Sequence, residues 1–220
     1  MKFILITSVF ATAIVFPMMP QNAHCQIVGN SGFETPDLAG APLVGNPPTG
    51  PNQPWTFLGR SGISRNTGDG SSFSVAGAVD GQYAYLQRYN GSSSSISQNI
   101  TFSTLGDYDV SYLEAGRIAS NGDLAYSLSL TPNIGGAPIL YVYDSTTTNQ
   151  PFTSASYDFT VATAGDYTLT FSTYLNVGSG NDDVALFDSI TVVPEPTTTI
   201  LGLIGGFGLF ARRIRNCRNA

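Results

Sequence analysis

The chain has 220 residues, nine of them Lys or Arg against fifteen Asp or Glu, for a net charge of −6. Four of the nine (Arg212, Arg213, Arg215, Arg218) crowd into the last nine positions, so that from Gln26 to Val193 four arginines face fourteen carboxylates, a balance of −10. A surface of that sign repels nucleic acid and anionic lipid and favours metal cations or neutral ligands such as sugars.

At the N-terminus, Met1-Lys2 is followed by FILITSVFATAIVF, about the length of a signal-peptide core and short of the roughly 20 residues a spanning helix needs. Ala23 and Cys25 supply the small residues wanted three and one positions before a cut, which predicts a signal peptide over 1–25 and a mature start near Gln26. A lipoprotein reading of Cys25 is weaker, because bulky His24 precedes it. The cut removes the only His, and Gln26–Pro194 holds no Cys, His, Lys or Met. Triads, Schiff bases, thiol catalysis and most zinc sites therefore fall away, and disulfides cannot staple the domain. Carboxylate chemistry is the remaining enzyme class. Most of the carboxylates stand in turn contexts (Asp69, Asp80, Asp107, Asp123, Asp166), where Asp serves the backbone, so no enzyme is expected.

In the mature chain a short strand is predicted at NSGFE, then a long irregular loop from Pro36 to Pro54. Beyond Trp55 come short runs bounded by Gly, Asn and Asp: TFLG, GISR, SFSVAG, QYAYLQR, SISQNITF, DYDVSYLEAG, LAYSLSL, PILYVY, SYDFTVA, DYTLTFSTY and VALFDSITVV. They alternate at period two and recur at the spacing of a sandwich or barrel, so the domain at 26–193 is read as all-β, a jelly-roll β-sandwich. GDYDVSY (106–112) and GDYTLTF (165–171) read as two core strands entered through similar turns. In Tyr83-Ala84-Tyr85-Leu86-Gln87, Ala84 and Leu86 suit the core, leaving Tyr83, Tyr85 and Gln87 on the other face as a sugar platform. Arg117 and the sole Trp55 are further ligand candidates, against the plainer reading that strand tyrosines pack.

The last 27 residues, 194–220, hold Pro194-Glu195-Pro196, a glycine-rich apolar run at 197–211, then the arginine cluster. At 1.5 Å per residue a 15-residue helix reaches roughly 22 Å, short of a hydrocarbon core of about 30 Å. Pro194 and Pro196 are expected to stop the last strand and hold an accessible spacer.

This order of parts resembles the PEP-CTERM sorting signal of exopolysaccharide-producing Gram-negative bacteria. The resemblance implies an exosortase-type transpeptidase as partner, acting at Pro194, Glu195 and Pro196 while Arg212, Arg213 and Arg215 hold the tail transiently in the inner membrane. It implies a final place at the cell surface or in the extracellular matrix. The body, through NSGFE, DGQYAYLQ, SISQNITF with GDYDVSYLEAGR, and DDVALFDSITV, resembles the galactose-binding-like jelly rolls of carbohydrate-binding modules. In such jelly rolls the first and last strands are neighbours, which would join Glu34 to Asp182, Asp183 and Asp188 as oxygen ligands of a structural Ca²⁺. Asp182 and Asp183 equally serve the turn in GSGNDD. Two function classes stay open: a surface module binding exopolysaccharide or another glycan, and a structural or interaction sandwich without a sugar site. Exposed aromatics beside polar groups on one sheet face favour the first, a uniform Ser/Thr face the second.

Overall fold

The computed structural model describes residues 28–38, 41, 43–65, 73–75, 81–118, 122–174 and 182–195. The expected signal peptide, Pro196, the apolar run and the arginine cluster lie outside these. Among the described residues no helix is long and apolar enough to cross a membrane.

Every run predicted beyond Trp55 becomes a strand except SFSVAG, whose described residues 73–75 make only an isolated bridge from Val75 to Arg117. The order is β1 (Leu43–Gly45), β2 (Thr56–Leu58), β3 (Ser61–Arg65), β4 (Gln82–Tyr89), β5 (Ser95–Phe102), β6 (Gly106–Gly116), β7 (Leu124–Pro132), β8 (Leu140–Thr146), β9 (Thr153–Val161), β10 (Gly165–Thr173) and β11 (Asp182–Pro194). They pair antiparallel throughout, in a six-stranded sheet β1-β3-β4-β11-β6-β9 and a five-stranded sheet β2-β5-β10-β7-β8. The two sheets face each other as a jelly-roll sandwich, and the domain is all-β as its periodicity predicts.

The core lies where the inward residues of both sheets meet. Tyr108, Val110 and Tyr112 of β6 face Tyr167, Leu169 and Phe171 of β10 in one buried cluster. Phe102 sits among Tyr108, Phe159 and Tyr167, all edge-on, with ring centroids 4.9, 5.9 and 5.3 Å away. Each such side chain contributes about 1.5–3 kcal/mol by leaving water, which is what stabilises a domain without cross-links.

The two Gly-Asp-Tyr segments are the same device used once in each sheet. Gly106 and Gly165 take φ of 139° and 150°, backbone that side chains oppose, and so turn the chain into β6 and β10. Two residues on, the Tyr108 hydroxyl donates to the Thr104 carbonyl (3.0 Å) and the Tyr167 hydroxyl to that of Thr163 (2.7 Å). Each tyrosine thus pins the loop that leads into its own strand.

Two expected elements differ. NSGFE is a turn and not a strand: Asn30 and Phe33 have φ of 48° and 57°, and the Phe33 amide donates to the Asn30 carbonyl. Leu43–Gly45, inside the expected irregular loop, is the edge strand β1, paired to β3. Trp55 is a core residue and no ligand platform: it is fully buried, tilted against Phe33 at 5.2 Å, and its Nε1 donates to the Asn30 carbonyl.

Candidate functional site

Alternation along β4 does turn Tyr83, Tyr85 and Gln87 away from the main core, but that face is covered. Tyr83 is 0% and Tyr85 5% exposed, in a second apolar cluster with Phe73, Val75, Val184 and Leu186. Phe73 stacks on Tyr85 at 4.5 Å, Phe152 meets Tyr83 edge-on at 5.7 Å, and the Tyr83 hydroxyl donates to the Phe73 carbonyl. Burial pushes the Tyr83 hydroxyl up to about 12. The segment 73–75 is held there by Val75 bridging to Arg117 and by the Ile118 amide donating to the Ser74 carbonyl. The expected tyrosine platform on β4 is therefore a packing layer.

Gln87 and Arg117 do come together, on Asp182. Gln87 Nε2 donates to one carboxylate oxygen, Arg117 Nη1 lies 3.0 Å from the other, and the guanidinium sits over Phe73 at 5.2 Å. Asp183 points inward, fully buried, and pairs with Arg88. Both aspartates are thus arginine partners rather than metal ligands. They also stand at the Tyr89 end of β4, whereas Glu34 is fixed at the Gln82 end, seven residues or about 23 Å away.

Glu34 and Asp188 are brought together. Gln82 is the organiser: its Nε2 donates to the Phe33 and Pro36 carbonyls, its Oε1 accepts from the Leu38 amide, and its own amide donates to Glu34 Oε1 at 2.9 Å. Asp188 is aimed by an irregularity in β11, where the pairing with β6 shifts register and Ser189 takes a φ of 52°. The Ile190 amide then donates to the Ser31 carbonyl, and the Asp188 carboxylate accepts from the Ser189 amide at 2.6 Å. A side chain at Gly32 would lie against the Asp188 carboxyl and the Glu34 stem, and one at Gly81 would run into the Glu34 carboxyl. Burial, with Glu34 nearby, raises Asp188 to about 6. No ion pair among the described residues includes either group, and none of their His, Cys, Asp or Glu form a cluster of three or more fit for a metal.

A third carboxylate is embedded between the sheets. Glu114 accepts from the Tyr126 hydroxyl, which meets the Tyr112 hydroxyl at 2.9 Å, while Tyr157 of edge strand β9 donates to Asp144 of edge strand β8. Burial, then Asp144, holds Glu114 above the ordinary carboxylate range.

The open face is on the other sheet. Tyr141 and Tyr143 of β8 and Tyr174 beyond β10 are 51%, 57% and 44% exposed. Their rings touch edge-to-face, Tyr141 with Tyr143 at 5.0 Å and Tyr143 with Tyr174 at 4.7 Å, and the Tyr141 hydroxyl donates to that of Tyr143. Beside them the outward positions of β7, β10 and β5 are Ser, Thr and Asn apart from Ala125 and Asp166, with Ser127, opposite Tyr143, only 9% exposed. This group was open to the same alternation argument that was applied to β4: in PILYVY, Leu140 and Val142 face in and Tyr141 and Tyr143 out, opposite Ser129 and Ser127 of LAYSLSL.

No protein-family model matches the chain, and no curated protein matches it. Among solved structures it is similar to the carbohydrate-binding module TmCBM61 in complex with β-1,4-galactotriose, at 18% identity and TM-score 0.48 over 77% of this chain and 99% of that one. It is also similar to a CBM4 structure, at 17% identity and TM-score 0.42 over 62% and 87%. A third is the CBM22-1 xylan-binding domain of Paenibacillus barcinonensis Xyn10C, at 13% identity and TM-score 0.42 over 67% and 91%. The likeness is one of layered β architecture.

Proposed function

We propose that the sandwich is a carbohydrate-binding module and not an enzyme, and that it takes its ligand on the outer face of the five-stranded sheet. One observation carries this reading: three touching, exposed tyrosines border a surface of hydroxyl and amide side chains. Aromatic rings supply apolar area to the faces of sugar rings, and hydroxyls and amides bond the sugar's own hydroxyls. Affinity electrophoresis in galactan, xylan, mannan and mixed-linkage glucan tests it. Wild type is expected to be retarded by at least one of them, and Tyr143→Ala to lose most of that retardation without a change in melting temperature. Unretarded wild type, or full retardation of the variant, sinks the proposal.

The placement of Glu34 and Asp188 supports a structural Ca²⁺ held by these two carboxylates, with the remaining oxygens drawn from backbone and water. The order of Pro-Glu-Pro, apolar run and arginines supports export followed by sorting at the inner membrane through an exosortase-type transpeptidase, with delivery to the surface or matrix.

A further inference from the structure

Strand register aligns the outward residues of the five-stranded sheet into rows that cross it. One row runs Tyr143, Ser127, Ser172, Ser95 and Leu58, and its neighbour Tyr141, Ser129, Thr170, Ser97 and Thr56. Both begin at the tyrosines on edge strand β8 and end on edge strand β2, where Leu58 is exposed. Among the described residues, the hydroxyls of Ser95, Ser97, Ser127, Ser129, Thr170 and Ser172 have no hydrogen-bond partner within the protein. The next row differs: Thr168 bonds Asn99 (2.9 Å) and Asn133 (2.7 Å), so those groups are engaged with one another. Beyond it, Thr101 bonds Asp166, the first charge met on this part of the face.

We infer that this face holds one extended, neutral polysaccharide chain lying across the strands, from the tyrosines along the two hydroxyl rows to Leu58. The inference rests on the carbohydrate reading above and adds the ligand's direction, length and charge class. Three features carry it. Serine is the smallest hydroxyl side chain, so the two rows leave a shallow track, closed on one side by the Thr168–Asn99–Asn133 cluster. Neither row contains a charged side chain, and the domain around them carries −10, so an acidic polysaccharide is repelled while a neutral one loses nothing. The rings meet at interplanar angles of 85° and 61°, which leaves no coplanar platform for the flat face of a crystalline polymer but offers edge and face to a single chain. Four strand spacings of about 4.8 Å give a track of about 19 Å, on the order of four sugar rings.

The test is calorimetric titration with a ladder of oligosaccharides, disaccharide to hexasaccharide, cut from whichever neutral polysaccharide retards the protein. Each hydroxyl bond adds little by itself, so affinity should climb by about tenfold or more from disaccharide to tetrasaccharide and then level off. Ser97→Glu, on the far half of the track, should abolish that gain and leave disaccharide binding unchanged, while Ser111→Glu on the opposite sheet changes neither. Equal affinity for disaccharide and hexasaccharide, or a Ser97→Glu variant that follows wild type along the whole ladder, overturns the track and leaves the tyrosine site standing. Binding to crystalline cellulose or to polygalacturonate in preference to the neutral chains overturns it as well. If no polysaccharide retards the protein, the carbohydrate reading falls, and the track with it.

Discussion

Tyr85 and Tyr143 stand in nearly the same local pattern, a tyrosine pair interleaved with aliphatic residues, and end in opposite surroundings. Period-two alternation assigns each correctly to the outward face of its strand, and that much was legible in the sequence. Whether an outward face meets water depends on what the rest of the chain lays over it, and the rings that cover β4 come from outside the strand, Phe73 from the segment before it and Phe152 from far along the chain. No spacing rule within QYAYLQ encodes them. The energetic consequence is a sharp contrast between two identical substitutions. Tyr85→Ala removes a stacked, buried ring and should cost about 3 kcal/mol or more in urea denaturation. Tyr143→Ala, on a solvated edge strand, should cost about 0.5 kcal/mol or less. Similar losses for the two variants would mean that the 73–75 cover contributes nothing to stability.

Among the elements, the long alternating strands were readable because turn residues punctuate them and one face of each is apolar. The first turn and β1 were not, because the order around them is built by side chains reaching across the fold. Gln82 alone gathers three backbone groups of residues 33–38, and Gln98 clamps Gly29 through both its amide atoms. The bulge in β11 is a similar case: alternation alone gives Asp188 no reason to meet Glu34, to which only the family resemblance joined it, and the register shift turns it there. An exposed Glu34 and a buried Asp188 brought so close oppose each other, and a bound cation relieves that opposition, so metal adds to stability by mass action. Calcium should therefore raise the melting temperature, excess chelator should reverse the rise, and Glu34→Gln or Asp188→Asn should abolish the response. A melting temperature indifferent to calcium in wild type would leave the pair as turn-fixing groups around Gly32 and Gly81. Asp182→Asn, which weakens the Arg117 and Gln87 contacts at the far end of β4, should keep the calcium response intact.

On the scale of the molecule, the sandwich divides its labour between its outer faces. The six-stranded sheet carries the packed cover and the Glu34–Asp188 corner, and the five-stranded sheet keeps its face open. Exposed aromatics and a uniform Ser/Thr face are alternatives in the sequence, and the open face has both, aromatics at one edge and hydroxyls across most of the remainder. The same sheet plan fixes where the fold ends. Pro194 is the last residue of β11, opposite Tyr108, and the Glu195 amide donates to the Asp107 carbonyl at 2.9 Å. The first two residues of Pro-Glu-Pro are thus tied to β6, in place of the accessible spacer expected of them. Glu195 lies beside Asp158, Asp107 and Asp109, and partial burial together with these carboxylates raises its pKa. An enzyme that takes Pro-Glu-Pro in extended form has to lift only this strand end, and cutting there removes no core residue. The proposed sorting therefore predicts a folded product, and mass spectrometry of the protein from its native host should find a chain beginning near Gln26 and ending within 194–196. Recovery solely of chains that retain Arg212–Arg218 would show that the tail is kept as an anchor. The sandwich would then face its glycan from the membrane surface, with the hydroxyl track unaltered.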